Sequence, residues 1–158
     1  MRVEQDRFTL EQQVCFTLSV ASREVVSLYR PLLEPLGLTH PQYLVMVTLW
    51  NTEGPVSIKR LSRMLQLEGP TLSPLLKRLE SAGLVLRRRD PADERSVLVT
   101  LTEQGVALEA RAAGVPTTIL SRLGMSLDRI ATLQELLSEV IVRAKEHNDP
   151  PSSSAAVG

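Results

Sequence analysis

The chain is poor in the residues that most often carry chemistry: among 158 residues there is one cysteine, there are two histidines, and neither sign of charge is in excess. A single thiol closes no intramolecular disulfide, so the bridged frameworks of small secreted domains are excluded. The histidines, His40 and His147, stand far apart. No metal-ligand cluster, phosphate-cradling loop or nucleotide fingerprint is written in the chain, so neither a metal nor a cofactor is expected. No apolar run approaches the roughly 18 residues of a membrane span, and the opening Met1-Arg2-Val3-Glu4-Gln5-Asp6 has no hydrophobic signal core. The expectation is a cytoplasmic protein without membrane association. What is present is 43% hydrophobic content, enough for one real core. Eighteen basic and eighteen acidic residues cancel, yet residues 57 to 95 hold nine Lys/Arg against five Asp/Glu, so the neutral total conceals a basic segment.

Punctuation along the chain gives an order of elements. Thr9-Leu10-Glu11-Gln12 fits a capping box, and Leu10, Val14, Leu18, Ala21, Val25, Leu28, Leu32 and Leu36 then recur in helical steps. Pro31 and Pro35 must kink or end this helix, and Gly37 is a natural stop. Thr39-His40-Pro41 starts a second helix through Tyr43, Val47 and Trp50, broken at Glu53-Gly54-Pro55. Ser57 caps a short third helix over residues 58–65, and Thr71 caps a fourth, with Pro74 in its first turn and Gly83 at its end. Leu84-Val85-Leu86 and residues 96–101 read as strands, joined by the polar stretch 87–95 with Asp90-Pro91 at its tip. Thr102 caps a further helix to Ala113, Gly114 and Pro116 interrupt it, and Ser126 opens a last amphipathic helix through Val140 and Ile141.

Helix-turn-helix followed by a hairpin is the order of a winged helix. The predicted class is mainly α with a small β-hairpin wing (α+β): a winged helix-turn-helix DNA-binding domain over residues 38–102, helical dimerisation regions over 9–37 and 103–147, a flexible start over 1–8 and a disordered tail over 148–158. The apolar stripes of the first and last helices need a partner. A two-fold homodimer packs them together and spaces two reading helices for a palindromic site in double-stranded DNA.

On the fourth helix Leu72, Leu75, Leu76 and Leu79 form an inner face, leaving Thr71, Ser73, Lys77 and Arg78 outward, where hydroxyls and cations reach base edges and phosphates. Arg87, Arg88, Arg89 and Arg95 crowd the wing, and an arginine near a wing tip can enter a minor groove. Asp93 is a candidate to orient Arg95 by a paired hydrogen bond. Taken alone, each segment also reads as a solvated charged surface.

Glu68-Gly69-Pro70-Thr71-Leu72-Ser73-Pro74-Leu75-Leu76-Lys77-Arg78-Leu79-Glu80, the wing Asp93-Glu94-Arg95 and Leu101-Thr102-Glu103-Gln104-Gly105 resemble the MarR family of dimeric winged-helix repressors. Gln13-Val14-Cys15-Phe16, Ala21-Ser22-Arg23-Glu24, Tyr29-Arg30-Pro31-Leu32-Leu33 and Leu38-Thr39-His40-Pro41-Gln42-Tyr43-Leu44 are similar to its organic-hydroperoxide-sensing branch, of one-cysteine type. The resemblance extends over roughly residues 10 to 145. It implies a repressor, not an enzyme, in which Cys15 is oxidised by organic hydroperoxide and a peroxide-detoxifying gene is then derepressed.

Two readings of Cys15 stand side by side. Beside Val14 and Leu18 it can be a buried small hydrophobe, in which case the regulator answers a small aromatic ligand at its dimer interface. Alternatively it is a reachable thiolate. Cys15, Ser19, Ser22, Val26 and Tyr29 share a face, but Tyr29 lies roughly 21 Å along the helix from Cys15 at about 1.5 Å per residue, so Tyr29 and His40 reach the thiol only across a dimer. The resemblance implies this intersubunit arrangement, with Ser19 and His40 standing where the branch commonly has tyrosines, and His40 as a titratable neighbour. Without a second cysteine, a sulfenic acid at Cys15 needs a small cellular thiol as its resolving partner. A thiol peroxidase using Cys15 would want a cationic activator that the chain does not supply.

Overall fold

The computed structural model describes Thr9 and residues 13–149; of the predicted Thr9–Gln12 capping box only Thr9 is among them, and the predicted flexible start and all but the beginning of the predicted tail also lie outside. Among the described residues the elements are α1 (Val14–Leu33), α2 (His40–Trp50), β1 (Val56–Ser57), α3 (Ile58–Leu65), α4 (Gly69–Ser81), β2 (Val85–Asp90), β3 (Asp93–Leu101), α5 (Glu103–Ala112), α6 (Val115–Leu123) and α7 (Leu127–Asn148). The described residues up to Ile119 form one compact unit and those from Leu120 a second. The mainly helical architecture with a small antiparallel sheet is the winged helix that the residue pattern predicts.

In the first unit, α1 runs past Pro31 to Leu33, and a 3-10 turn at Glu34–Leu36 follows, with Pro35 in a position that needs no amide hydrogen. Gly37 then takes the left-handed conformation, φ 69°, which a residue with a Cβ adopts only at a cost, and this reverses the chain into α2. Thr39 and Gln42 form a reciprocal capping box: the Thr39 amide donates to Gln42 Oε1 at 2.9 Å and the Gln42 amide to Thr39 Oγ1 at 3.4 Å. Helix α2 is the centre of the core, with Tyr43, Val45, Met46 and Leu49 buried. Ser57 caps α3 by accepting from the Arg60 amide, and Leu61 points inward.

Helix α4 starts at Gly69 with Pro70 in its first turn, three residues earlier than a Thr71 cap allows, so Pro74 lies in the second turn and forgoes a helical bond. The three strands are antiparallel in the order β1-β3-β2. The strands reach further toward the tip than hydropathy suggests: Arg87, Arg88 and Arg89 pair with Val99, Leu98 and Val97, and a register irregularity falls between Arg89 and Asp90. Backbone pairing alone sustains this, and β2, as the outer strand, tolerates charged side chains.

Thr102 ties the base of the wing together. Its hydroxyl donates to the Gly83 carbonyl at 2.6 Å and accepts from the Gly105 amide at 3.0 Å, capping α5. Gly105 is buried against the strand: a Cβ there would overlap the Leu84 carbonyl oxygen and lie 3.3 Å from Leu101 Cδ2. Its own carbonyl accepts from Trp50 Nε1 at 2.9 Å, which couples α2 to α5.

In the second unit Ser126 caps α7 by accepting from the Arg129 amide at 3.4 Å. Helix α7 buries none of its residues, and Leu133, Leu136, Val140, Ile141 and Val142 are exposed. On α1 only Leu33 is buried, and Val14 remains 65% exposed. No described helix is long and apolar enough to cross a membrane.

Candidate functional site

The candidate reading face is built by α4. Leu72, Leu76 and Leu79 are buried and Leu75 is half-buried, which fixes the helix's rotation and turns Thr71, Ser73, Lys77 and Arg78 to solvent. Beside them lies a cleft of about 430 Å³ whose walls include Ser73 on α4 and Arg88 and Arg89 on the wing. The fold therefore brings Ser73 of the helix and Arg88 and Arg89 of the wing to one cleft.

The arginines are not equivalent. Arg87 is turned to α4, where Nε and Nη2 donate to Glu80 Oε2 at 3.0 and 2.8 Å and its backbone amide donates to Oε1 at 3.2 Å. The Arg87 side chain's hydrogen bonds, followed by that of its amide, hold the Glu80 carboxyl below the ordinary carboxylate range. Arg89 crosses the wing, its Nη1 donating to the Glu94 carbonyl at 2.9 Å. Asp93 accepts from the backbone amide of Arg95 at 3.1 Å rather than from its guanidinium, an Asx turn that shapes the tip. The guanidinium groups of Arg88 and Arg95 have no hydrogen-bond or ion-pair partner among the described residues. Lys59, Arg60 and Arg63 on α3 are exposed as well; they counted toward the basic segment in the sequence, but no local motif singled them out.

The thiol site divides within the chain. Cys15 is exposed in the first turn of α1, and Tyr29 and His40 sit together at the other end. The Gly37 reversal brings their rings to 4.7 Å between centroids at 62°, an edge contact. Two further aromatic residues of α2 continue the cluster: the ring of Tyr43 lies 5.8 Å from that of Tyr29, and the ring of Trp50 lies 6.5 Å from that of Tyr43. The available signal was the spacing of His40, Tyr43, Val47 and Trp50 along one helix.

Burial raises the Tyr29 hydroxyl's pKa above 10.0 and lowers that of His40 below 6.5, so His40 is held neutral at neutral pH. Tyr43 is raised by burial first and by the nearby Tyr29 second. Beside this cluster opens a cavity of about 560 Å³, walled by Val26, Leu33 and Leu38 and edged by Arg30, Glu34 and His40. Among the described residues no group of His, Cys, Asp and Glu is arranged to hold a metal.

The helix-turn-helix, its wing and the basic face define a winged-helix DNA-binding transcriptional regulator. Residues 27–110 match the family described as transcriptional regulator SarA/Rot. The chain is 40% identical over 143 residues to the organic hydroperoxide resistance transcriptional regulator of Bacillus subtilis, covering 90% of this chain and 97% of that one. Among solved structures it is similar to reduced AbfR bound to DNA, with a TM-score of 0.77, 34% identity and coverage of 94% of this chain and 100% of that one. It is also similar to wild-type MarR of E. coli in its apo form, with a TM-score of 0.64, 27% identity and coverage of 81% and 96%. The chain belongs to the SarA/Rot and MarR family of winged-helix transcriptional regulators.

Proposed function

We propose that the protein is a homodimeric repressor that holds a palindromic operator while Cys15 is reduced and releases it when organic hydroperoxide oxidises Cys15, derepressing a peroxide-detoxifying gene. The observation that carries this reading is the split site. An exposed cysteine stands at one end of α1 and a half-buried Tyr29–His40 pair at the other, and an antiparallel partner helix joins the two ends. The apolar surface left uncovered on α1 and α7 supports such a dimer, as does the likeness to a hydroperoxide-resistance regulator.

In the dimer, Cys15 faces Tyr29 and His40 of the partner subunit. The thiolate sulfur attacks one peroxide oxygen, the O–O bond breaks and the sulfur gives up two electrons. The alkoxide leaving group takes a proton to become an alcohol, and sulfenic acid remains on Cys15. A small cellular thiol then displaces hydroxide, which leaves as water, forming a mixed disulfide. Neutral His40 accepts hydrogen bonds or donates them without adding charge, and the Tyr29 hydroxyl is a donor toward the oxygen that develops charge. Thr71, Ser73, Lys77 and Arg78 read the major groove, while Arg88, Arg89 and Arg95 carry the wing contact, with Asp93 shaping its tip.

A second reading is favoured by the cavity beside His40, whose apolar walls and Arg30 suit a small aromatic acid; Cys15 is then structural. The two are separated by releasing a DNA duplex, selected from a random pool on the reduced protein, with either cumene hydroperoxide or salicylate. The redox reading predicts release by the hydroperoxide from the wild type and none from Cys15→Ser. Release by salicylate from both proteins, with the hydroperoxide inert, establishes the second reading instead.

A further inference from the structure

Glu80 occupies an electrostatically poor position. It lies in the last turn of α4, where the helix dipole's negative end disfavours a carboxylate, on the helix that reads a polyanion. Its charge is nevertheless turned inward to Arg87, at 2.8 Å, with the two side chains only 34% and 29% exposed. Three hydrogen bonds converge on the one carboxylate, including that of the backbone amide of Arg87 on the edge strand β2, which has no further strand to pair with among the described residues. An isolated surface pair contributes little, but a multiply bonded, partly desolvated guanidinium–carboxylate pair fixes geometry. The pair adds to other ties between α4 and β2: the short link 82–84, with Gly83 at φ 75°, and within it the Leu84 amide donating back to the Leu79 carbonyl at 3.0 Å.

We propose that Glu80 and Arg87 are positioning residues for DNA recognition: the pair locks the wing to the reading helix, so that the exposed wing arginines engage in register with Thr71, Ser73, Lys77 and Arg78, and Arg87 itself makes no DNA contact. The cleft beside the pair, with Ser73 on one wall and Arg88 and Arg89 on the other, is the space whose width the lock sets. This concerns how DNA is read and does not depend on the chemistry of Cys15.

The test uses the full reduced chain and two duplexes: one selected from a random pool on the wild type, and a scrambled duplex of the same length and composition. Glu80→Ala, Arg87→Ala, the double variant and the exchange Glu80→Arg with Arg87→Glu are compared by fluorescence anisotropy across a salt series, with thermal melting of each protein alongside. Each single substitution is expected to weaken binding to the selected duplex about tenfold, and the double variant no further, as for residues that act as one unit. Binding to the scrambled duplex and the salt slope stay near wild type, and the exchange recovers part of the loss. Simple electrostatics predicts the opposite sign for Glu80→Ala, because a negative charge is removed near phosphate. Binding as tight as wild type or tighter in Glu80→Ala overturns the proposal. So does a salt slope lowered by about one in Arg87→Ala, which is the signature of a direct phosphate contact. A fall in melting temperature with unchanged affinity reduces the pair to a stability role and overturns it equally.

Discussion

Gly105→Ala sets two physical effects against each other, and the structure decides which wins. Within a helix, alanine is favoured over glycine by about 1 kcal/mol, so propensity alone predicts stabilisation. Gly105, however, is buried where α5 lies on the start of the wing, and a Cβ there overlaps the Leu84 carbonyl oxygen and comes within 3.1 Å of the Leu84 carbonyl carbon. Backbone atoms cannot rotate aside as a side chain does, so the upper part of the overpacking range, about 3 kcal/mol, applies. Moving α5 also strains the Trp50 Nε1 hydrogen bond to the Gly105 carbonyl, at 2.9 Å, contributing about 1 kcal/mol more. The net is about 3 kcal/mol of destabilisation, or a fall of roughly 6–12 °C in melting temperature for a chain of this size. Circular dichroism gives the melting curve. The emission of Trp50, the single tryptophan, reports locally on the same contact. A variant as stable as wild type, or more stable, refutes the packing argument and returns Gly105 to an ordinary helical position.

Other outcomes follow from the same geometry. Arg95→Ala, which removes an exposed wing guanidinium, is expected to weaken binding to the selected duplex by roughly 1–3 kcal/mol; an unchanged Kd assigns Arg95 to solvent. His40 shares its cavity with Arg30 and Glu34, and burial holds its pKa below 6.5, so the unfolded chain takes up its proton first as pH falls. His40 therefore takes nothing from stability above pH 6.5 and lowers it progressively below. Urea melts across this range should show a wild-type decline that His40→Asn lessens, and parallel curves would contradict the assignment. Leu136→Asp with Val140→Asp, on the exposed apolar face of α7, should convert the proposed dimer to monomer in sedimentation; a retained dimer places the interface elsewhere.

Much of the fold was legible because short polar residues stand directly before apolar periodic runs. Ser57, Thr102 and Ser126 each cap the helix that their position announces. The same rule was available at Thr39 and Gln42, whose spacing matches the capping-box pattern read instead at Thr9 and Gln12. The start of α4 was misplaced because Pro70 reads as a turn, although the first turn of a helix accommodates it. Strand β1 is two residues long and carries no period. The arginine-rich ends of the wing look like a loop, since hydropathy does not see backbone pairing.

At the site, the leucine stripe of α4 sufficed to turn Thr71, Ser73, Lys77 and Arg78 outward. The partner of Arg87 was not legible: Glu80 lies seven residues earlier across a helix-to-strand boundary, where no spacing rule applies. Nor was the contact between Tyr29 and His40, which exists because the Gly37 reversal folds α2 back beside the end of α1.

The central claim is that modification of Cys15 releases DNA, and the most direct measurement follows both events in one sample. The preformed complex of the reduced protein with its selected duplex receives one equivalent of cumene hydroperoxide and excess cysteine, and anisotropy and intact mass are recorded over time. The account predicts that the fraction of duplex released rises in step with the fraction of chains carrying a modified Cys15, and that Cys15→Ser stays bound and unmodified. Full modification of Cys15 with the duplex still bound, or equal release from Cys15→Ser, would contradict it.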